Sequence, residues 1–358
     1  MLMRATVALA AGLLLAGCGR PVVFHTSDAY PQHLSEWQVV WRDGDALRLN
    51  DGVMVYDIAT PLFTDYALKL RTVYLPPGEH ATYDAMDAFA FPVGTVISKT
   101  FFYRRDAAGS DSLLRQADWN GEADTVNFRD YRILETRLLV RQADGWDALP
   151  YIWDGNDATL SVTGKVIRAR LDGEPIPYLV PTRNECGSCH ISDHTARQFL
   201  PIGLKARHLN HDRKGQNQLV AMRDRHWLQG LPDTNVPANP AMDDTGASLD
   251  ARARAYLDAN CGHCHNARGA ADTSGLLLDA SNTERRHMGL CKPPIAAGSG
   301  TGGRNFGIVP GQPDASMLLW RMTSTNPGTR MPELGRSLVH AEGVALIHDW
   351  IAQMPGEC

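Results

Sequence analysis

Ser248-Leu249-Asp250-Ala251-Arg252-Ala253-Arg254-Ala255-Tyr256-Leu257-Asp258-Ala259-Asn260 runs directly into Cys261-Gly262-His263-Cys264-His265. The first part is rich in Ala, Arg and Leu, which predicts a helix. The second part reads C-x-x-C-H. The same pattern stands upstream as Cys186-Gly187-Ser188-Cys189-His190. In this pattern two thiols form thioether bonds to the vinyl groups of haem c, and the adjoining His becomes an axial iron ligand. Two copies predict two covalently bound haem c groups. Cys186, Cys189, Cys261 and Cys264 would attach them, and His190 and His265 would ligate the iron.

Downstream, Ala315 to Met322 predicts a further helix. Glu342 to Met354 places Val344, Ile347 and Ile351 on one face, with Leu346 and Trp350 beside it, which predicts an amphipathic closing helix. Between them Met331 stands in the irregular segment Gly328-Thr329-Arg330-Met331-Pro332. A thioether is a soft, neutral sixth ligand that raises the iron potential. Met317, Met322 and Met354 are its rivals, but they sit in helix-like stretches where Met usually fills a core. His263 reads as a surface residue. The Gly-rich run 298–303 neither follows a strand nor opens a helix, so it reads as a flexible loop.

From Tyr256 to the end the chain resembles the class I cytochrome c family. The resemblance rests on Ala259-Asn260 with the second C-x-x-C-H, on Val309-Pro310-Gly311, on Arg330-Met331-Pro332 and on Asp349-Trp350-Ile351. It implies a small all-α domain with His265 as the proximal ligand and Met331 as the distal one.

The first half has a different texture. Leu70 to Leu75, Val96 to Tyr103, Ile133 to Val140, Tyr151 to Trp153 and Thr159 to Thr163 mix β-branched and aromatic residues between Pro, Gly and Asp. They predict an antiparallel sheet, with turns at residues 154–157 and 172–173. A strand over Pro177 to Val180 leads into the first motif, and Gln216 to Leu228 predicts a helix. The fold class is therefore α+β. A β-rich domain over 30–231 carries the first haem motif, a Pro-rich linker covers 232–247, and the cytochrome-like domain covers 248–358. The distal side of the first haem stays open among His194, His208, His211, Met222 and Met242. Phe91-Pro92-Val93-Gly94-Thr95 with Lys99, ahead of a late C-x-x-C-H, is similar to the β-sheet cytochromes c that oxidise hydroxylamine or bind small gases. In the oxidising members a Lys is cross-linked to a five-coordinate haem. An ordinary surface or ion-paired Lys99 is the favoured reading of this short pattern.

Arg4 and the short apolar run from Val7 to Ala16 read as an export signal over 1–17, too brief to span a bilayer. Leu15-Ala16-Gly17-Cys18 resembles a lipobox, with Cys18 acylated and residues 18–29 as a tether. Gly19 rather than Asp favours the outer membrane over the inner. The chain has seven Cys. With Cys18 given to lipid and four to haem, Cys291 and Cys358 remain for a disulfide in an oxidising compartment. Formal net charge is -5, and the one basic stretch surrounds the first motif. It would balance haem propionates, receive an acidic partner, or simply be solvated surface. The whole chain also resembles a bacterial family of dihaem c-type lipoproteins, which implies the same domain plan and names no substrate.

The leading expectation is an electron relay between periplasmic or membrane redox proteins. The alternative is an enzyme whose first haem is open and acts on peroxide or a nitrogen oxide, with the second haem as relay. Thiol exchange at Cys261-Gly262-His263-Cys264 would need a thioredoxin-like strand before the tetrad. A zinc site would need Cys pairs about 15–20 residues apart, far closer than these. Basic and aromatic residues are not interleaved as nucleic-acid binding requires.

Overall fold

The structure is a computed structural model that describes residues 20–115, 119–295 and 297–358. The export signal and Cys18 lie outside the described residues. The strands are β1 (Val40–Asp43), β2 (Ala46–Leu49), β3 (Met54–Tyr56), β4 (Leu68–Tyr74), β5 (Ala81–Thr82), β6 (Val96–Arg104), β7 (Ser112–Leu113), β8 (Tyr131–Arg141), β9 (Trp146–Asp154), β10 (Asp157–Leu160), β11 (Lys165–Leu171), β12 (Glu174–Val180), β13 (Asp212–Arg213), β14 (Gln216–Asn217) and β15 (Leu228–Gln229). The helices are α1 (Arg183–His190), α2 (Ala206–Leu209), α3 (Gln218–Asp224), α4 (Leu249–Asn260), α5 (Met317–Thr323) and α6 (Ala341–Ala352).

The protein is mixed α and β. Its centre is an antiparallel six-stranded sheet in the order β10-β9-β8-β6-β4-β3. Alternation along the strands gives each face its own core. On one face Leu70, Val96, Phe102, Leu138 and Val140 pack against Leu34, Trp37 and Val40. On the other face two cores lie side by side. Val73 and Ile97 pack against Leu204, Leu209 and Met222 from around α2 and α3. Phe101, Leu134 and Ile152 pack against Tyr178 and Val180 of β12. Between these two cores the same face carries charged residues: Arg71, Lys99 and Arg137 are paired across β4, β6 and β8.

Several elements differ from expectation. Residues 20–29 do not hang free. Val22 packs on the first core, the Val23 N–H donates to the Trp37 carbonyl at 3.0 Å, and Asn50 donates to the Arg20 carbonyl. The helix expected over 216–228 starts later, because Gln216–Asn217 form β14 and the Asn217 side chain caps α3 through the Leu219 and Val220 N–H groups. The linker runs against its neighbours: Thr60 donates to the Pro240 carbonyl, and Asn239 N–H donates to the Arg207 carbonyl. From residue 248 onward the described residues form α4, α5 and α6, short 3-10 turns and two isolated β-bridges around a separate core. The Gly-rich run holds a 3-10 turn at Gly298–Thr301, and Gly302, at positive φ, backs onto the Trp320 ring so closely that a Cβ would collide with it.

The two parts meet through buried polar groups. Arg207 on α2 binds the Asp258 carboxylate on α4 at 2.7 and 2.9 Å. His208 lies beside this pair, 4% exposed, with its Nε2 3.7 Å from Asp258. Burial pushes the His208 imidazole down to about 4. A folded-state value below the unfolded one means that the unfolded chain binds the extra proton. Stability should therefore decline as pH falls from about 6.5 toward 4, by up to about 3 kcal/mol from this residue. Urea unfolding of wild type and His208→Gln across that window checks it, and the variant should show a flatter slope.

Candidate functional site

Thr182 ends the segment after β12 and caps α1. Its hydroxyl accepts from the Glu185 N–H at 3.1 Å, and the Glu185 carboxylate accepts from the Thr182 N–H at 2.8 Å. α1 therefore carries the first motif itself, with the strand expected before it ending at Val180. His190 is its last residue, and its Nδ1 lies 2.8 Å from the Leu200 carbonyl oxygen. That contact assigns the ring proton to Nδ1 and leaves the Nε2 lone pair free.

The second motif follows α4, which Ser248 caps through the Ala251 N–H. Gly262 is required by close approach: a Cβ there would lie 2.8 Å from the Asp258 carbonyl oxygen and from the Asp279 Cα. His265 repeats the arrangement of His190. Its Nδ1 is 3.5 Å from Ser274 Oγ, and the ring also meets the Leu276 backbone. Desolvation pushes both imidazoles down to about 4, so both are neutral near pH 7.

A cavity of about 430 Å³ is lined by Cys261, Cys264 and His265, by apolar Leu276, Leu278 and Leu318, and by Met288, Met317, Met322 and Met331. Its size lies within the roughly 300–1,000 Å³ of cofactor pockets. The mixture of cysteine thiols, a free imidazole nitrogen, methionine thioethers and apolar walls fits a haem c. Met331 and its helix-borne rivals Met317 and Met322 all reach this cavity, whereas Met354 is buried in the core instead. Met288 is engaged by Arg254, whose Nη1 is 2.6 Å from its sulfur. The Met331 backbone is held at both ends: its N–H donates to the Arg321 carbonyl at 2.9 Å, and its carbonyl accepts from Arg336 at 2.7 Å. Arg336 is 3% exposed and also donates to the carbonyls of Arg321, Ser324 and Leu338.

Arg336→Met should therefore cost at least the roughly 1.5–3 kcal/mol of one charge-assisted hydrogen bond. If the Met331 sulfur ligates a haem in this cavity, the same variant should also weaken the long-wavelength absorption of ferric iron bound to a thioether. A loss of stability without the spectral change would mean that Arg336 supports the loop but not the Met331 sulfur.

Ser188, Cys189 and His194 line the same cavity, so the two motifs meet there. Cys264 Sγ is 3.2 Å from the Ser188 carbonyl oxygen, and the Cys189 thiol is in hydrogen-bonding contact with Cys264 and His263. His263, read as a surface residue, is 8% exposed because the first motif covers it, and its Nδ1 has no partner.

No family model, curated protein or solved structure matches this chain.

The distal candidates for the first motif are dispersed. His208 faces Asp258, His211 meets Gln218 at 3.1 Å, Met222 fills the core beside α2, Met242 packs on the core around α4, and His194 lies at the shared cavity. Facing α1 instead is the charged strip of the sheet. Lys99 lies within electrostatic reach of Cys189 and His190, and Arg137 and Lys99 within reach of Cys186. Burial first, then Arg137 and Arg71, push the Lys99 ammonium down to about 7. Nothing in the sequence joins Arg71 and Arg137 to Lys99, although each is a charged residue at an inward register position of its strand.

Among the described residues no three or more His, Cys, Asp or Glu side chains are grouped to hold a bare metal ion. Cys291 and Cys358 are joined by a disulfide with a Cα–Cα distance of 5.3 Å. No helix among the described residues is long and apolar enough to cross a membrane.

Proposed function

We propose that this chain is an exported, lipid-anchored dihaem c-type cytochrome that relays single electrons between redox proteins of the periplasm or its membranes. The observation that carries the reading is the matched state of the two motif histidines. Each is half-buried and neutral, with Nδ1 turned toward a backbone or hydroxyl oxygen, and each follows two cysteines. A structural histidine has no need of an Nε2 without a hydrogen bond directly after two cysteines that form no disulfide.

Haem c held at each motif supplies a one-electron iron couple. The chain's own residues do the rest. Leu200 and Ser274 orient the imidazoles, the apolar wall around Leu276 and Leu278 excludes water, and Arg336 steadies Met331. Cys264 meets the Ser188 carbonyl, so haems attached at the two motifs would lie close enough for an electron to pass between them. We read residues 248–358 as a class I cytochrome c domain with Met331 as distal ligand, and residues 30–231 as the β-rich domain with the first haem. Cys18 would be the acylated anchor at the outer membrane.

A haem count by pyridine haemochrome on the mature protein, with the ferric spin state, tests this. Two low-spin haems are expected for a relay, and no covalent haem from a host with intact cytochrome maturation would overturn it. A second reading is favoured by the dispersal of His208, His211, Met222 and Met242 away from α1. In it the first haem keeps an open position and acts on a small molecule, and one of the two haems is then high-spin.

A further inference from the structure

The row Arg71, Lys99 and Arg137 sets three cations side by side on adjacent strands of one sheet face. Like charges directly opposite one another destabilise a sheet. Lys69 stands in the next row of the same face, where it pairs with Phe101. Three of these cations surround the Phe101 ring, with Arg137 at 4.4 Å, Lys99 at 5.0 Å and Lys69 at 5.9 Å from its centroid.

The nearby anions answer Arg137 and Arg71, while Asp65, within electrostatic reach of Lys69, accepts from the Ser337 and Leu338 N–H groups. Glu135 is fully buried and is held by Arg137 at 2.6 and 2.8 Å and by the Tyr178 hydroxyl at 2.7 Å. Asp57 is shared by Arg71 at 3.5 Å and Arg213 at 3.8 Å. Among the described residues Lys69 donates to the Ala67 carbonyl at 2.9 Å and has no ion pair. Lys99, half-buried, has no hydrogen bond or ion pair among the described residues beyond the face of Phe101. Taking a cation out of water without a partner is costly. Arg71 and Arg137 are paired, but Lys69 and Lys99 stand on the same inward-facing patch with no ion pair among the described residues, and a further negative group would complete it.

We propose that Lys69, Arg71, Lys99 and Arg137 form an anion cradle under α1, and that it takes a carboxylate or a small oxyanion. Two sources share this chemistry. One is a propionate of the haem on Cys186 and Cys189, and that source rests on the relay reading. The other is a diffusible anion, which does not depend on it.

The test uses the mature holoprotein, Lys99→Met and Lys99→Arg. Acetate and nitrite binding are measured by calorimetry, and both haem potentials by redox titration. For a diffusible anion, wild type binds and Lys99→Met weakens binding at least tenfold, with Lys99→Arg restoring it. For a propionate, neither probe binds, but one potential falls in Lys99→Met by the equivalent of tenfold in the redox equilibrium, about 59 mV, and Lys99→Arg restores it. Unchanged binding and potentials in a Lys99→Met protein of normal haem content overturn the cradle. Protein without haem sinks the relay reading alone, and the calorimetry then decides the cradle. If Lys99→Met does not fold, Lys69→Met is read by the same criteria.

Discussion

Asp258→Asn should destabilise the protein by about 3–5 kcal/mol, the range for breaking a buried ion pair from one side. Asp258 and Arg207 are 5% and 6% exposed. The carboxylate accepts two bonds from Arg207, one from Asn239 Nδ2 at 3.1 Å and one from the Ala280 N–H at 2.9 Å. One side chain thus ties α2, the linker and the segment after the second motif to α4, three residues before Cys261. Arg207 holds the Asp258 carboxyl well below the usual carboxylate range against the opposing effect of burial. A depressed value means stability that is present above the unfolded carboxylate range and lost as pH falls through it. The Asn variant leaves the Arg207 guanidinium in place with no counter-charge, and that accounts for most of the expected cost. The double variant Arg207→Met, Asp258→Leu should recover most of the loss, because apolar replacement of a whole buried pair is often neutral. Urea midpoints of wild type and the two variants decide it. A double variant as unstable as the single one would mean that the bonds to Asn239 and Ala280, rather than the charge, carry the stability.

This pair also marks where sequence reading stops. The strands β4, β6, β8 and β9 were legible because alternation and β-branched content are local properties. α4 was legible because its propensity and its Ser248 cap are local too. Within α4, however, Asp258 looks like any charge on a solvated helix face. Its partner is fifty-one residues away, and no local pattern reports a contact of that range. The first motif shows the same division. Its five residues are plain, but the cations that face it lie on three strands far apart in the chain. For His263, nothing in C-G-H-C-H signals that another segment covers it. The export, lipid and haem readings share a signal that is chemical rather than geometric, namely which residues neighbour a Cys. The fold neither supplies nor removes that signal.

Opening the Cys291–Cys358 disulfide should lower stability by a comparable amount. The bridge spans a sequence separation of 67 residues, and the chain-entropy relation gives roughly 4 kcal/mol for a loop of that length. The enclosed segment holds α5, Met331, Arg336 and α6. Its first end is anchored independently, because the Cys291 N–H donates to the Ile308 carbonyl and the Gly307 N–H to the Lys292 carbonyl, each at 2.9 Å. Its last end lies beyond α6, where Pro355, Gly356 and Glu357 are exposed and Cys358 is tied back through its sulfur. Cys358→Ser should therefore release this tail and enlarge the freedom of the unfolded chain, while α6 keeps its packing through Ile347, Trp350 and Ile351. The expected readout is a lower urea midpoint at unchanged haem content. The same midpoint should appear in wild type treated with a reductant, which separates loss of the bridge from any effect of the Ser side chain. A drop below about 1 kcal/mol would mean that the unfolded chain is already held compact over this stretch, since covalently attached haem would itself restrict it. The size of the drop thus reports on both constraints. If the second haem is attached and ligated by His265 and Met331, removing the bridge should cost less in holoprotein than in a Cys261→Ala, Cys264→Ala protein without that haem, because one constraint then covers part of the loop that the other closes.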